Sequence, residues 1–123
     1  MQKLAAAGAF AVLLIAGAAQ AQPVVYSWTG FGTNVPGSSK CPTYKMTINV
    51  TVDGKNVKGT FQQEGRPART FETTLDADGG IKTTAKVGGG HTMDVVGSVK
   101  EGAAKIMLTG YCEFEGALTK NFE

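Results

Sequence analysis

The sequence predicts an all-β domain, with a small antiparallel β-barrel of about eight strands preferred to a β-sandwich. Three observations carry that expectation. Apolar residues recur at every second position in short runs. Gly, Asp-Gly or Gly-Gly-Gly breaks the runs, and the short connections make neighbouring strands antiparallel, since a parallel crossover needs a dozen or more residues. Beyond the N-terminal stretch, no window of a dozen residues holds a 3.6-residue apolar period. The barrel is preferred because hairpin follows hairpin and closure removes exposed strand edges.

The chain opens with MQKLAAAGAFAVLLIAGAAQA. Lys3 supplies a positive start, Leu4 to Ala19 is apolar and small, and Ala19-Gln20-Ala21 fits the small-x-small cleavage rule. Residues 1–21 read as a signal peptide cut after Ala21. The apolar run is shorter than the roughly 20 residues a bilayer needs, and no later stretch is apolar enough to span one. Residues 22–123 then form a single β domain with a periplasmic or extracellular location and no integral membrane segment.

Within that domain the runs follow in order. VVYSWTG places Val24, Tyr26 and Trp28 on one face. FGTNVPGSSKCP is a loop. YKMTINVTV points Tyr44, Met46, Ile48, Val50 and Val52 one way, with Lys45, Thr47, Asn49, Thr51 and Asp53 opposite. Asp53-Gly54 turns the chain, and KNVKGTF aligns Val57, Gly59 and Phe61. QQEGRPAR is a reversal. RTFETTLD aligns Phe71, Thr73 and Leu75. After DADGG, IKTTAKV aligns Ile81, Thr83, Ala85 and Val87. After GGG, HTMDVVGSVK aligns Met93, Val95, Gly97 and Val99. KIMLTG aligns Ile106 and Leu108. The last run, YCEFEGALTKNF, aligns Cys112, Phe114, Gly116, Leu118 and Lys120. Gly59, Gly97 and Gly116 fall on the inward parity, where they let strands bend or approach closely.

Charge is balanced and scattered. The mature chain carries eleven Lys or Arg against ten Asp or Glu. Its densest basic group, Lys55, Lys58, Arg66 and Arg69, is a solvated face rather than a nucleic-acid footprint. The two cysteines of an exported protein, Cys41 and Cys112, pair as one disulfide. With one histidine they do not make a zinc site, and their separation is wrong for a redox pair.

His91 follows three glycines, and the strand period puts Asp94 on the opposite face, so no carboxylate orients it as a base. The Asp76–Gly80 stretch has too few oxygens for calcium and reads as a turn. Glu113 and Glu115, alternate on one strand and about 7 Å apart, match the spacing of an inverting glycosidase pair but sit on the solvent face. Asn49-Val50-Thr51 matches a glycosylation acceptor on the polar face. The aromatics Trp28 and Tyr26 belong to the core by parity, with a ligand-lined barrel mouth as the alternative. The loop from Gly30 to Pro42, long among tight turns, carries Phe31, Asn34 and Lys40. With Trp28, these are the binding candidates.

Trp28, Cys41, Tyr44, "VDGKNVKG" and "GYCEFEG" together resemble small exported proteins common in rhizobial and related alphaproteobacteria. The resemblance implies export, β architecture and the Cys41–Cys112 pairing rather than a chemistry. A more remote likeness is to small barrel inhibitors of secreted metalloproteases, which carry one disulfide and act through an N-terminal segment; here that segment is Gln22 to Val25.

The expected function is therefore non-enzymatic: surface-mediated binding of a macromolecule or envelope component, without nucleic acid, cofactor or metal. A protease inhibitor or a small-ligand-binding barrel is the alternative. The leader reading has a direct check. Intact mass of the exported protein should place its first residue at Gln22, and retention of residues 1–21 would overturn it.

Overall fold

The computed structural model describes residues 22–121; the signal-peptide reading of residues 1–21 lies outside them. The described chain forms nine strands: β1 (Val24–Phe31), β2 (Lys45–Asp53), β3 (Asn56–Gln63), β4 (Arg69–Thr74), β5 (Gly80–Lys86), β6 (Thr92–Ser98), β7 (Lys105–Thr109), β8 (Glu113–Ala117) and β9 (Thr119–Asn121). Two single-turn 3-10 segments, Cys41–Thr43 and Gly88–Gly90, interrupt them. No helix among the described residues is long and apolar enough to cross a membrane.

Burial follows the alternation. On β2, Met46, Ile48, Val50 and Val52 are buried while Lys45, Thr47, Asn49 and Asp53 face solvent. On β3, Val57, Gly59, Phe61 and Gln63 are buried between exposed neighbours. The turn between them uses Gly54 at φ 66°, a conformation that costs glycine little because it has no Cβ. Asp53 pairs with Asn56, so Gly54-Lys55 is the turn pair.

The expected barrel does not form. The strands make two antiparallel sheets, one in the order β9-β1-β2-β3-β4 and the other β5-β6-β7-β8, and neither closes on itself. Side chains from both sheets meet in one core that includes Ile48, Val50, Phe61, Phe71, Ile81, Val95, Leu108 and Phe114.

Closure fails at two places, each for a local reason. Between β4 and β5, the Leu75 N–H donates to the Lys55 carbonyl, holding the chain on the first sheet to its end. The Asp76 carboxylate then accepts the N–H groups of Asp78 and Gly80 at 2.8 and 2.7 Å, so the connection bonds within itself. The strands on either side of it, β4 and β5, end their sheets without a shared ladder. Exposed Glu72, Lys82 and Lys86 on these edges oppose pairing with another chain.

The second break divides the last run. Residues 113–117 pair with β7, but residues 119–121 pair with β1. The Leu118 N–H donates to the Ala104 carbonyl, the last bond the chain makes to the second sheet before it changes sides. Between β1 and β8 the only ladder contact among the described residues is the Thr33–Glu113 bridge, with N–H···O distances of 2.8 and 3.1 Å.

Trp28 fills that junction. It points inward from β1, half-buried, and its indole lies over Gly30 and Gly116; a Cβ on Gly116 would overlap the ring. Likewise the Phe71 ring lies over Gly59, its cross-strand partner. Inward glycines thus make room for aromatic rings. Gly97 differs: a Cβ there would meet the Lys105 carbonyl and Ile106, a close approach of neighbouring strands.

Gly116→Ala should lower stability by about 1–3 kcal/mol, as overpacked cores do. The same change in a Trp28→Ala background should cost much less, because the clash is removed. Urea-denaturation midpoints of the four proteins measure the coupling. Strictly additive losses would show that the ring does not set the requirement for glycine.

Candidate functional site

One end of the two sheets gathers the segments around Tyr44, residues 64–68, residues 87–91 and Gly110-Tyr111. They surround a cleft of about 520 Å³ with Met46 and Phe61 among its lining. Tyr44, Gln63, Arg66 and Arg69 come from the first sheet and its loops. Val87, His91, Thr92 and Tyr111 come from the second.

The disulfide positions two of these residues. Cys41 and Cys112 are bonded, both buried, with Cα atoms 5.7 Å apart. From Cys41 the chain makes one 3-10 turn, closed by the Tyr44 N–H donating to the Cys41 carbonyl at 3.0 Å, and delivers Tyr44. Immediately before Cys112 stands Tyr111. The two phenol rings meet edge-on with centroids 6.4 Å apart, and Tyr111 meets Phe114 in the same way at 6.2 Å.

The polar groups are placed by turns. The Arg66 N–H donates to the Gln63 carbonyl, and the Gln62 amide donates to the Arg66 carbonyl at 2.8 Å, which fixes the loop carrying Arg66. Arg69 starts β4 and reaches the Gly88 turn, where a Cβ would lie 3.0 Å from Nη2. Gln63 is 8% exposed, and its amide oxygen accepts a hydrogen bond from the Tyr111 hydroxyl. Burial pushes the Tyr111 phenol above its ordinary value. Arg66 opposes this, Tyr44 adds to it and Arg69 opposes it, so both guanidiniums act on the hydroxyl. No carboxylate lines the cleft.

The residues singled out in the sequence lie in several places. Trp28 faces inward beneath the β1–β8 junction. Phe31 points outward from the end of β1 and is 52% exposed, so the two form no continuous aromatic patch. Asn34 accepts the Cys41 N–H through its side-chain oxygen at 3.0 Å, which shapes the loop. Lys40 is exposed, and its carbonyl accepts from the Thr43 N–H and hydroxyl. Asn49 is exposed on the outer face of β2. Asp76 is engaged in its own turn, as the sequence suggested. Among the described residues, no three His, Cys, Asp or Glu side chains come together as metal ligands.

His91 does line the cleft, whose lining includes two arginines and no carboxylate. Sequence reasoning missed Gln63, Arg66, Arg69, Tyr44 and Tyr111 as a group. The signal available was the QQEGRPAR loop, whose two arginines read as a solvated face.

Glu113 and Glu115 project from the outer face of β8 and interact directly. The hydrogen bond with Glu115 raises the Glu113 carboxyl above its ordinary value, with smaller contributions from burial and from the Glu115 charge.

The chain matches no protein-family model, no curated protein and no solved structure.

The Glu113 shift has a pH consequence. A raised folded-state pKa gives stability that is present in acid and lost as pH rises through that pKa. At neutral pH the two carboxylates repel. Glu113→Gln keeps a hydrogen-bonding side chain and removes one charge. It should raise the thermal midpoint at pH 7 and leave it nearly unchanged near pH 3. An equal offset at both pH values would rule out the carboxylate pair as the cause.

Proposed function

We propose that this protein is an exported, non-enzymatic binding domain whose ligand site is the end cleft between its two sheets. The observation that carries the reading is the convergence of Tyr44, Gln63, Arg66, Arg69, His91 and Tyr111 around one concavity over an apolar floor. Small-ligand sites are concave and largely apolar, with a few placed polar groups, and occupy about 300–1,000 Å³. These side chains hold a ligand by stacking and hydrogen bonding. A wider hollow of about 870 Å³ at the opposite end, near Val99 and Leu118, has charges of both signs among its lining residues and fits a ligand less well.

Export is supported by the leader sequence and by the buried disulfide, which persists in oxidising compartments. The inhibitor alternative gains little. Val24 and Val25 of the matching segment are built into β1, paired with Val52 and Thr51, which leaves Gln22 and Pro23 ahead of the ladder after cleavage at Ala21.

A second reading, recognition of an envelope macromolecule by the loop after β1, is favoured by the exposure of Phe31 beside the loop that carries Lys40. Phe31→Ser with Lys40→Ser tests it without disturbing Asn34 or Thr33.

Titration of the ¹⁵N-labelled, disulfide-intact protein with a mixture of small aromatic fragments should move the amide signals of Tyr44, Gln63, His91 and Tyr111. Tyr111→Ala should weaken the best fragment at least tenfold, about 1.4 kcal/mol. Shifts confined to residues 31–40, or none at the cleft, would overturn the cleft assignment. Recovery of an envelope partner that depends on Phe31 and Lys40 would establish the second reading.

A further inference from the structure

We propose that the end cleft selects a small organic anion, with a carboxylate or phosphate head held by Arg66, Arg69 and the Gln63 amide and an apolar body resting on Tyr44, Pro67 and Val87. The inference rests on the cleft being the ligand site and specifies the chemistry of what enters it.

Three independent features point to a negative head group. The first is the sign of the lining. Arg66 and Arg69 are permanently cationic, and no Asp or Glu lines the cleft. The mature chain is nearly neutral overall, so this local excess comes from placement and not from composition. Arginine suits the task because its planar fork of donors matches both oxygens of a carboxylate or phosphate.

The second is Gln63, more than nine-tenths buried. One end of its amide is bonded to the Tyr111 hydroxyl, and the other end has no side-chain or backbone hydrogen-bond partner among the described residues. Buried polar groups are almost always satisfied, so an amide nitrogen left over at the wall of a cleft is a donor awaiting an acceptor. An anion supplies one.

The third is that both guanidiniums line the cleft with one shared hydroxyl, that of Tyr111. They belong to different parts of the chain, one in the loop after β3 and one at the start of β4, yet both pull the Tyr111 phenol down against its burial. Both therefore lie near enough to act on the same hydroxyl that Gln63 contacts. An anion bound there meets both cations and the amide together. The accessible apolar surface of Tyr44, Pro67 and Val87 in the same lining favours an anion with an apolar body over a fully hydrated inorganic ion.

The test uses isothermal titration calorimetry and ¹⁵N shift mapping on the exported, disulfide-intact protein with three probes of one shape: 2-naphthoate, 2-naphthyl phosphate and the neutral 2-naphthamide. Both anions should bind at the cleft at least tenfold more tightly than the amide. The tighter of the two identifies the preferred head group, and either order supports the proposal. Arg66→Gln with Arg69→Gln should remove at least that tenfold advantage, so that the anions bind the variant no more tightly than 2-naphthamide does. Should the double variant fail to fold, the wild-type protein still decides the matter. Raising sodium chloride from 50 to 500 mM should weaken the anions several-fold and not the amide, because exposed charge pairs are screened. Equal binding of all three probes at the cleft, or anion binding indifferent to both the arginines and salt, would overturn anion selectivity while leaving the cleft as the site. Absence of cleft shifts with every probe would overturn both.

Discussion

The bond between Cys41 and Cys112 is the constraint on which the rest of the structure depends. It joins a loop of the first sheet to the entry of β8 in the second, 71 residues later. The chain-entropy account gives such a crosslink about 4 kcal/mol. That is a large fraction of the roughly 5–15 kcal/mol by which small domains are stable. Its position matters as much as its energy. Among the described residues the two sheets share no continuous ladder on that side, only the Thr33–Glu113 bridge, and the bond holds the junction where backbone pairing is sparse. The bond also sets Tyr44 and Tyr111 edge to edge, so the stabilising device and the walls of the cleft are one piece of chain.

Elsewhere the interior is shaped by rings lying over glycines. Trp28 over Gly116 and Phe71 over Gly59 place large apolar area where a side chain on the facing strand would have excluded it. A glycine in a strand contributes little of its own and lowers β propensity. Covered by a ring, it becomes part of a packed layer instead of a weak point. The Trp28 contact has a further role, because its indole spans from a strand of one sheet to a strand of the other where hydrogen bonds do not. Side-chain packing replaces the ladder there.

The cleft shows how a domain with an almost filled interior still presents a site. Its core side chains are close to fully buried from Val50 to Phe114. The cleft lies where the sheets end and their connecting loops meet. Polar and charged residues occur there because turns need Gly, Pro and residues that bond their own backbone, and arginine tolerates solvent. Burial of Gln63 beside those arginines is the unusual element, since glutamine is mostly exposed in folded proteins. The Tyr111 hydroxyl satisfies one end of its amide.

Local chemistry determined much of this molecule from the sequence alone. Alternation in YKMTINVTV and in KNVKGTF identified which residues face the core, and Asp76 is engaged in the turn that its Gly-rich context implied. Parity of that kind depends only on the pleat of one strand and is written residue by residue. Pairing of the two cysteines was legible from their number and from the leader. Which strands share a ladder was not legible, and the expected barrel was wrong for that reason. A strand with one apolar face is satisfied equally by a closed sheet or by two facing sheets, and its own residues do not distinguish them. The last run alternates without interruption through Phe114, Gly116 and Leu118, although the ladder passes from one sheet to the other at Leu118. The cleft was invisible for a related reason. Its members come from separate loops with no shared period, and only the tertiary structure, by ending two sheets at the same level, brought Gln63, Arg66, Arg69 and Tyr111 into one place.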